Sequence, residues 1–225
     1  MDDFMSRNYA PSAAILTFKR YFSMEKELIN LTIDDHKNIY LRPLKNNDVS
    51  EKYVSWLNDP DVNRYLDVRH STPESMNDVA RFVKNCQANK RPHWGIFLKE
   101  QHIGNISCSL YNLLYRWIDI SFLIGEKSLW GNGICTNAVA SVIDYLFKDQ
   151  VFHRIQGGAC SLNKVSIHMF NKLGFRQEAC FRDAALLEGK YVDDLKYGIL
   201  ADEWLHYNFN YIRYKVCNLD WSFFG

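Results

Sequence analysis

The sequence predicts a single mixed α/β domain, with a mixed central sheet flanked by helices. Three observations carry that expectation. Helix-period segments interleave with strand-like runs instead of segregating from them. Residues 134, 138, 139, 142, 143, 146 and 147 are apolar, which marks one face of a helix. A strand-like run and a glycine corner, Gly131-Asn132-Gly133, lead directly into that helix. At 225 residues and 47% hydrophobic content, the chain can bury a core without covalent staples.

Taken in order, residues 1–38 show no strong period and read as an N-terminal extension, in which Met24 is an alternative start. Ile39 to Leu44 reads as a strand, with Pro43 near its end. Asp48 is expected to cap a helix, with Glu51 completing a capping box and Val49, Tyr53, Trp56 and Leu57 recurring at helical spacing. Asn58-Asp59-Pro60 stops it. A second helix is expected to open at Ser71-Thr72-Pro73-Glu74, with Thr72 as its cap and an apolar face of Met76, Val79, Ala80 and Val83. His93 to Lys99, Ile103 to Leu110 and Trp117 to Gly125 read as strands, the first two joined as a hairpin around Glu100 and Gln101.

Beyond the Ile134–Phe147 helix, Ile155 to Cys160 is a strand and Lys164 to Leu173 a helix ended by Gly174. Phe175 to Asp183 and Tyr191 to Leu200 are the last strands, joined at Glu188-Gly189-Lys190. The order is β-α-α-β-β-β-α-β-α-β-β. Residues 205–225 form an aromatic-rich tail containing Tyr207, Phe209, Tyr211, Tyr214, Trp221, Phe223 and Phe224. That tail is expected to cover the core or to meet a second copy in a homodimer.

Composition excludes several classes. A net charge of +1 argues against a nucleic-acid binder held by phosphate contacts. No apolar run approaches the roughly 18 residues of a membrane span. The six cysteines form no C-x-x-C pair and follow no secretory signal, so a cytoplasmic protein with reduced thiols is expected. Histidines and cysteines show no zinc-ligand spacing, so no metal is expected.

The chemistry concentrates between Ile120 and Thr136. A strand runs into a glycine-containing loop and then a helix start, and the N–H groups of the first helical turn face that loop. Such a corner suits a phosphate group; the plain alternative is an ordinary strand–loop–helix turn. It is neither a P-loop nor a full G-x-G-x-x-G motif.

Trp130-Gly131-Asn132-Gly133-Ile134-Cys135-Thr136-Asn137-Ala138 resembles the acetyl-CoA pyrophosphate loop of GNAT-superfamily acetyltransferases. The form is that of the branch acetylating ribosomal-protein N-termini and amino sugars. Asn163-Lys164-Val165-Ser166 with Asn171-Lys172-Leu173-Gly174-Phe175 is similar to its N-x-x-S…K-L-G-F segment. Trp56 to Leu66, with the text W-L-N-D-P-D-V-N-R-Y-L, is similar to the start of many such enzymes. Gly189 to Asp193, Tyr197 and Glu203-Trp204 extend the resemblance over residues 39–204.

The resemblance implies a GNAT fold with splayed strands and acetyl-CoA as cofactor. It implies that the backbone of Phe122, Leu123 and Ile124 bonds the pantetheine arm. The loop residues Trp130, Gly131, Asn132, Gly133, Ile134, Cys135 and Thr136 would take the pyrophosphate, and Asn163 and Ser166 match cofactor-touching positions. Trp130, Cys135 and Asn137 depart from common family choices.

Acetyl transfer to an amine needs an uncharged amine, a stabilised oxyanion and a protonated thiolate. Asp119 matches a carboxylate of the branch and is the candidate base; a surface or ion-paired carboxylate is the alternative. The family's acidic tyrosine corresponds to Phe170, which cannot donate, so the acid falls to water, Ser121 or a histidine. His168 and His153 have no evident partner. Arg64 and Arg69, with Tyr65, Asp67 and His70, lie where relatives line the acceptor pocket; Tyr191 and Asp193 are further acceptor candidates. The expected acceptor is a small-molecule amine, an amino sugar, with a nucleotide-linked amino sugar among the candidates. The alternatives are a protein N-terminus or another small amine, or a non-catalytic acyl-CoA-binding protein.

Overall fold

The computed structural model describes residues 30–34, 39–71, 73–89, 91–112, 114–148, 152–206 and 215–217. Thr72, the candidate start at Met24 and the tail aromatics from Tyr207 to Tyr214 and Trp221 to Phe224 lie outside them. The strands are β1 Asn30–Asp34, β2 Ile39–Pro43, β3 His93–Leu98, β4 Gln101–Asn112, β5 Trp117–Ile124, β6 Arg154–Cys160, β7 Arg176–Leu187, β8 Lys190–Leu200 and β9 Lys215–Cys217. The helices are α1 Glu51–Asn58, α2 Pro60–Asn63, α3 Met76–Ala88, α4 Ile134–Lys148, α5 Lys164–Lys172 and α6 Ala201–His206. The strands form one sheet in the order β7-β8-β6-β5-β4-β3-β2-β1-β9. The fold is therefore the mixed α/β fold expected. The end of the N-terminal extension supplies β1, which pairs with β2 on one side and β9 on the other.

Alternation along β3 divides the interior in two. Ile96 faces the larger core, where Ile118, Ile120, Val139, Ile143, Leu146 and Ile155 join sheet to α4. Phe97 faces the other way, into a smaller core with Tyr53 and Trp56 of α1 and Val79 and Val83 of α3. The helices thus cover both faces.

Helix starts differ from expectation for a traceable reason. Asp48 does not cap α1, because its carboxylate is taken by the Arg42 guanidinium at 2.6 and 2.7 Å and by the Lys45 N–H. Ser50 is the cap and accepts from the Tyr53 N–H at 3.2 Å. Likewise α3 starts at the Ser75 cap, which forms a capping box with Asp78. The Asn58-Asp59-Pro60 stop also starts α2, with Asp59 accepting from the Asp61 N–H and Pro60 in its first turn.

The parallel β5–β6 ladder positions the site. It joins Trp117, Ile118 and Asp119 to Arg154, Ile155 and Gln156 and goes no further. Beyond it, β5 stays with β4 and β6 stays with β8. Phe170 of α5 fills the angle where they part. Its ring meets Phe122 of β5 edge-on at 5.8 Å and stacks on Tyr197 of β8 at 5.0 Å. A Cβ on Gly157 would lie 2.8 Å from that ring and 3.1 Å from the Ile120 carbonyl oxygen. Only glycine lets β6 pass so close at the fork.

Candidate active site

Above the fork, β5 runs through Ile124 and Gly125 into a 3-10 turn, Lys127–Leu129, and then the glycine loop. Gly131 and Gly133 have φ of +77° and +75°, and no atom comes within 4 Å of where their Cβ atoms would stand. Left-handed backbone at both positions turns the loop tightly and leaves open space in front of it. The Asn137 N–H donates to the Gly133 carbonyl at 3.0 Å, closing the first turn of the 15-residue α4. The preceding amides and the positive end of the helix dipole face the loop. Trp130 braces this assembly by donating its indole N–H to the Ile124 carbonyl at 2.8 Å. Ile134 is buried and Asn132 exposed. Cys135 packs against the main core, and burial pushes its thiol up to about 12. A backbone anion cradle beside a forked strand edge fits the diphosphate and amide-bearing arm of a coenzyme A thioester.

Asn163 and Ser166 meet at the start of α5. The Asn163 side chain caps the helix by accepting from the Ser166 N–H at 3.1 Å.

A second space opens on the opposite face of the sheet from α4. It is an open cleft of about 720 Å³. Its floor includes His93, Asn105, Ser107, Ser121 and Leu123; Tyr53, Leu57, Val79 and Phe82 form walls. Sheet register creates the floor, since His93 pairs with Ser107 and Ser107 with Ser121. Ser107 and Ser121 share a hydrogen bond at 2.9 Å between their Oγ atoms. Asp67, Glu74, Asp78 and Arg81 also line the cleft, and Asp78 is bonded to Ser75 and Arg81. His93 is only 5% exposed, and burial pulls it down to about 3, with Arg91 and His102 acting in the same direction. Its imidazole is neutral at physiological pH.

Asp119 sits at the root of the fork, opposite Gln156 on the last rung of the ladder. Burial raises its carboxyl above the ordinary value, against the Ser109 hydroxyl at 3.0 Å, the Lys196 ammonium and a Gln156 hydrogen bond. Lys196 is itself paired with Asp194 at 2.7 Å.

The four acceptor candidates lie elsewhere. Arg64 pairs with Glu188 at 2.8 Å. Arg69 donates to the carbonyls of Leu66 at 2.6 Å and Leu186 at 2.8 Å. Both arginines thus tie the segment after α2 to the tip of the β7–β8 hairpin. Asp193 accepts from the Asp183 N–H at 3.1 Å, and Tyr191 is exposed on β8. His153 and His168 are exposed. The sequence reading missed His93, Asn105 and Ser107. A polar residue opening an otherwise apolar strand, His93 before Trp94, was the available signal.

Among the described residues, no helix is long and apolar enough to cross a membrane, and no His, Cys, Asp and Glu group is placed to hold a metal.

Comparison with known proteins gives the family and the fold. A family profile described as an acetyltransferase (GNAT) domain matches residues 38–176. A probable N-acetyltransferase, YjcK of Bacillus subtilis, is 26% identical over 173 residues, covering 73% of this chain and 94% of its own. The ribosomal protein uS5 alanine N-acetyltransferase of Escherichia coli is 29% identical over 86 residues, 38% of this chain and 43% of its own. Among solved structures, a ribosomal L7/L12 alpha-N-protein acetyltransferase in complex with coenzyme A superposes with a TM-score of 0.68 at 16% identity, covering 77% of this chain and 99% of that one.

Proposed function

The chain belongs to the GNAT acetyltransferase family, and from that premise we propose that it transfers acetyl from acetyl-CoA to the N-terminal amine of a protein or peptide. The observation that carries the acceptor class is the open cleft, whose floor reaches the β5 edge at Ser121 and Leu123. A chain end can enter such a cleft and leave the rest of the polymer outside. An amino sugar, the expectation from the opening motif, calls for a more enclosed pocket. The ribosomal-protein acetyltransferase among the relatives supports the protein reading.

When bound, acetyl-CoA supplies an acetyl group activated as a thioester. The amides of Gly131 to Thr136 would hold the diphosphate, and the β5 backbone at Phe122, Leu123 and Ile124 would orient the arm. Asp119 takes the ammonium proton through water. Its raised proton affinity makes it a stronger base than an exposed carboxylate, and it stands where the strands part. Ser121, in its hydroxyl pair with Ser107, is the side chain assigned to return a proton to the departing sulfur.

A second reading has its own observation. Asp67 and Glu74 on the cleft lining, where Asp78 is already paired with Arg81, favour a cationic acceptor, which includes a small polyamine. The deciding experiment is CoA release with acetyl-CoA and three acceptor sets: peptides with free N-termini, spermidine, and UDP-linked amino sugars. Turnover with peptides and blocked turnover with N-acetylated peptides is expected. Turnover confined to sugars or spermidine rejects the peptide acceptor.

A further inference from the structure

The cleft floor contains a histidine with an unusual division of its two ring nitrogens. Nδ1 of His93 is buried without a hydrogen-bond partner, so the small area that the residue keeps exposed beside the cleft does not come from that atom. The ring lines the cleft and packs edge-on against Phe82, 5.4 Å between centroids. An orphaned lone pair in a dry site costs less than an orphaned N–H. The proton of the neutral ring therefore belongs on Nε2, the nitrogen left for the cleft.

We propose that His93 Nε2–H is the specificity group of the cleft, donating a hydrogen bond to a backbone carbonyl within the first two residues of a peptide acceptor. The inference rests on the peptide reading above and gives it a recognition element. The sheet supplies the ruler. His93, Ser107 and Ser121 stand side by side on three neighbouring strands. Two strand spacings amount to about 10 Å. Two extended residues reach about 7 Å, and one hydrogen bond spans about 3 Å. An amine held over Ser121 thus brings its first peptide carbonyls to His93. A polyamine has no carbonyl to offer there, so the contact separates the two acceptor classes that the acidic lining alone does not.

The test compares the full-length protein with His93→Leu and His93→Gln. Leucine removes the donor; glutamine keeps an N–H donor. In steady-state assays with an Ala-initiated tetrapeptide, His93→Leu is expected to raise the peptide KM about 10-fold, the equivalent of about 1.4 kcal/mol. It should leave CoA affinity unchanged and raise the peptide KM by clearly more than the spermidine KM, and His93→Gln should recover most of the loss. In parallel, ¹⁵N-histidine spectra of the CoA-loaded protein should show the His93 Nε2 signal as protonated and shifted by the peptide. Of the seven histidines, the one lost in His93→Gln identifies the signal.

Equal peptide KM in wild type and His93→Leu, or equal losses for peptide and spermidine, overturns the His93 contact while the peptide reading stands. A peptide-induced shift at Nε2 without any acetyl transfer supports the contact and removes the transferase reading. Turnover of spermidine alone, with no shift from peptide, removes both.

Discussion

Trp130 and Ile124 are joined by a hydrogen bond from indole N–H to backbone carbonyl at 2.8 Å. The residue before the first loop glycine is thereby fixed to the last residue of β5. Trp130 is 46% exposed, so its size is not explained by core packing. We propose that this bond holds the glycine loop and the strand edge at one separation. Trp130→Phe keeps the ring and removes the donor. A neutral hydrogen bond contributes about 0.5–1.5 kcal/mol, so CoA affinity should fall about 2- to 12-fold with little loss of thermal stability. Calorimetric titration checks this, and an unchanged Kd would remove the bracing role.

At Gly133 the backbone conformation, not crowding, is the constraint. Its φ is +75° and the space around a Cβ is empty. Gly133→Ala should cost about 1–2 kcal/mol from the left-handed region alone and weaken CoA binding about 10-fold as the loop relaxes. Gly189, with φ of +76° and equally open surroundings, is the matched control. Gly189→Ala should lower the melting temperature similarly and leave CoA binding intact. Equal CoA Kd values for the two variants would separate the loop from donor binding.

Asp119→Asn should lower kcat by about 10²–10⁴, the usual contribution of a positioned base. It should also change stability with a defined sign. Burial raises the folded-state affinity of Asp119 for its proton. The folded protein therefore binds more protons there than the unfolded chain. The stabilisation is complete below the unfolded value and is lost as pH rises through the folded one. The asparagine variant should gain stability relative to wild type as pH rises from acid to neutral. Denaturation at several pH values checks this; a variant that loses stability relative to wild type as pH rises would contradict the burial argument.

Restoring the family's tyrosine should not restore an acid. Phe170 is fully buried, and its ring edge lies against Gly157. A phenolic hydroxyl there would displace β6 or remain unsatisfied, at about 1–3 kcal/mol. Phe170→Tyr is expected to melt earlier and to gain no activity. A faster enzyme of undiminished stability would show that the fork has room for a donor.

Much of the strand–loop–helix geometry was legible in the sequence because its signals are local. The apolar period of Ile134–Phe147, the two loop glycines and the helix ended by Gly174 are each written within one element. Helix starts were less legible, since capping is competitive: the Asp48 carboxylate is taken by Arg42 of the preceding strand, which leaves Ser50 to cap α1. β1 and β9 were unreadable because three- to five-residue strands owe their existence to a partner's edge. The cleft floor was hidden for the same reason. His93, Ser107 and Ser121 are spread across three strands, and only pairing register aligns them. Arg64 and Arg69 attracted attention by chemistry that the hairpin tip satisfies.

The fork has a mechanical consequence. Three rungs join β5 to β6, so the sheet consists of two parts that share a short seam. An elongated donor lying along Phe122, Leu123 and Ile124 would take the place of the missing rungs. Its arrival would complete the seam and stiffen the molecule across its middle; its departure would restore compliance. Turnover would then be accompanied by a cycle of rigidity, with the cleft on one part firmest while the thioester is in place.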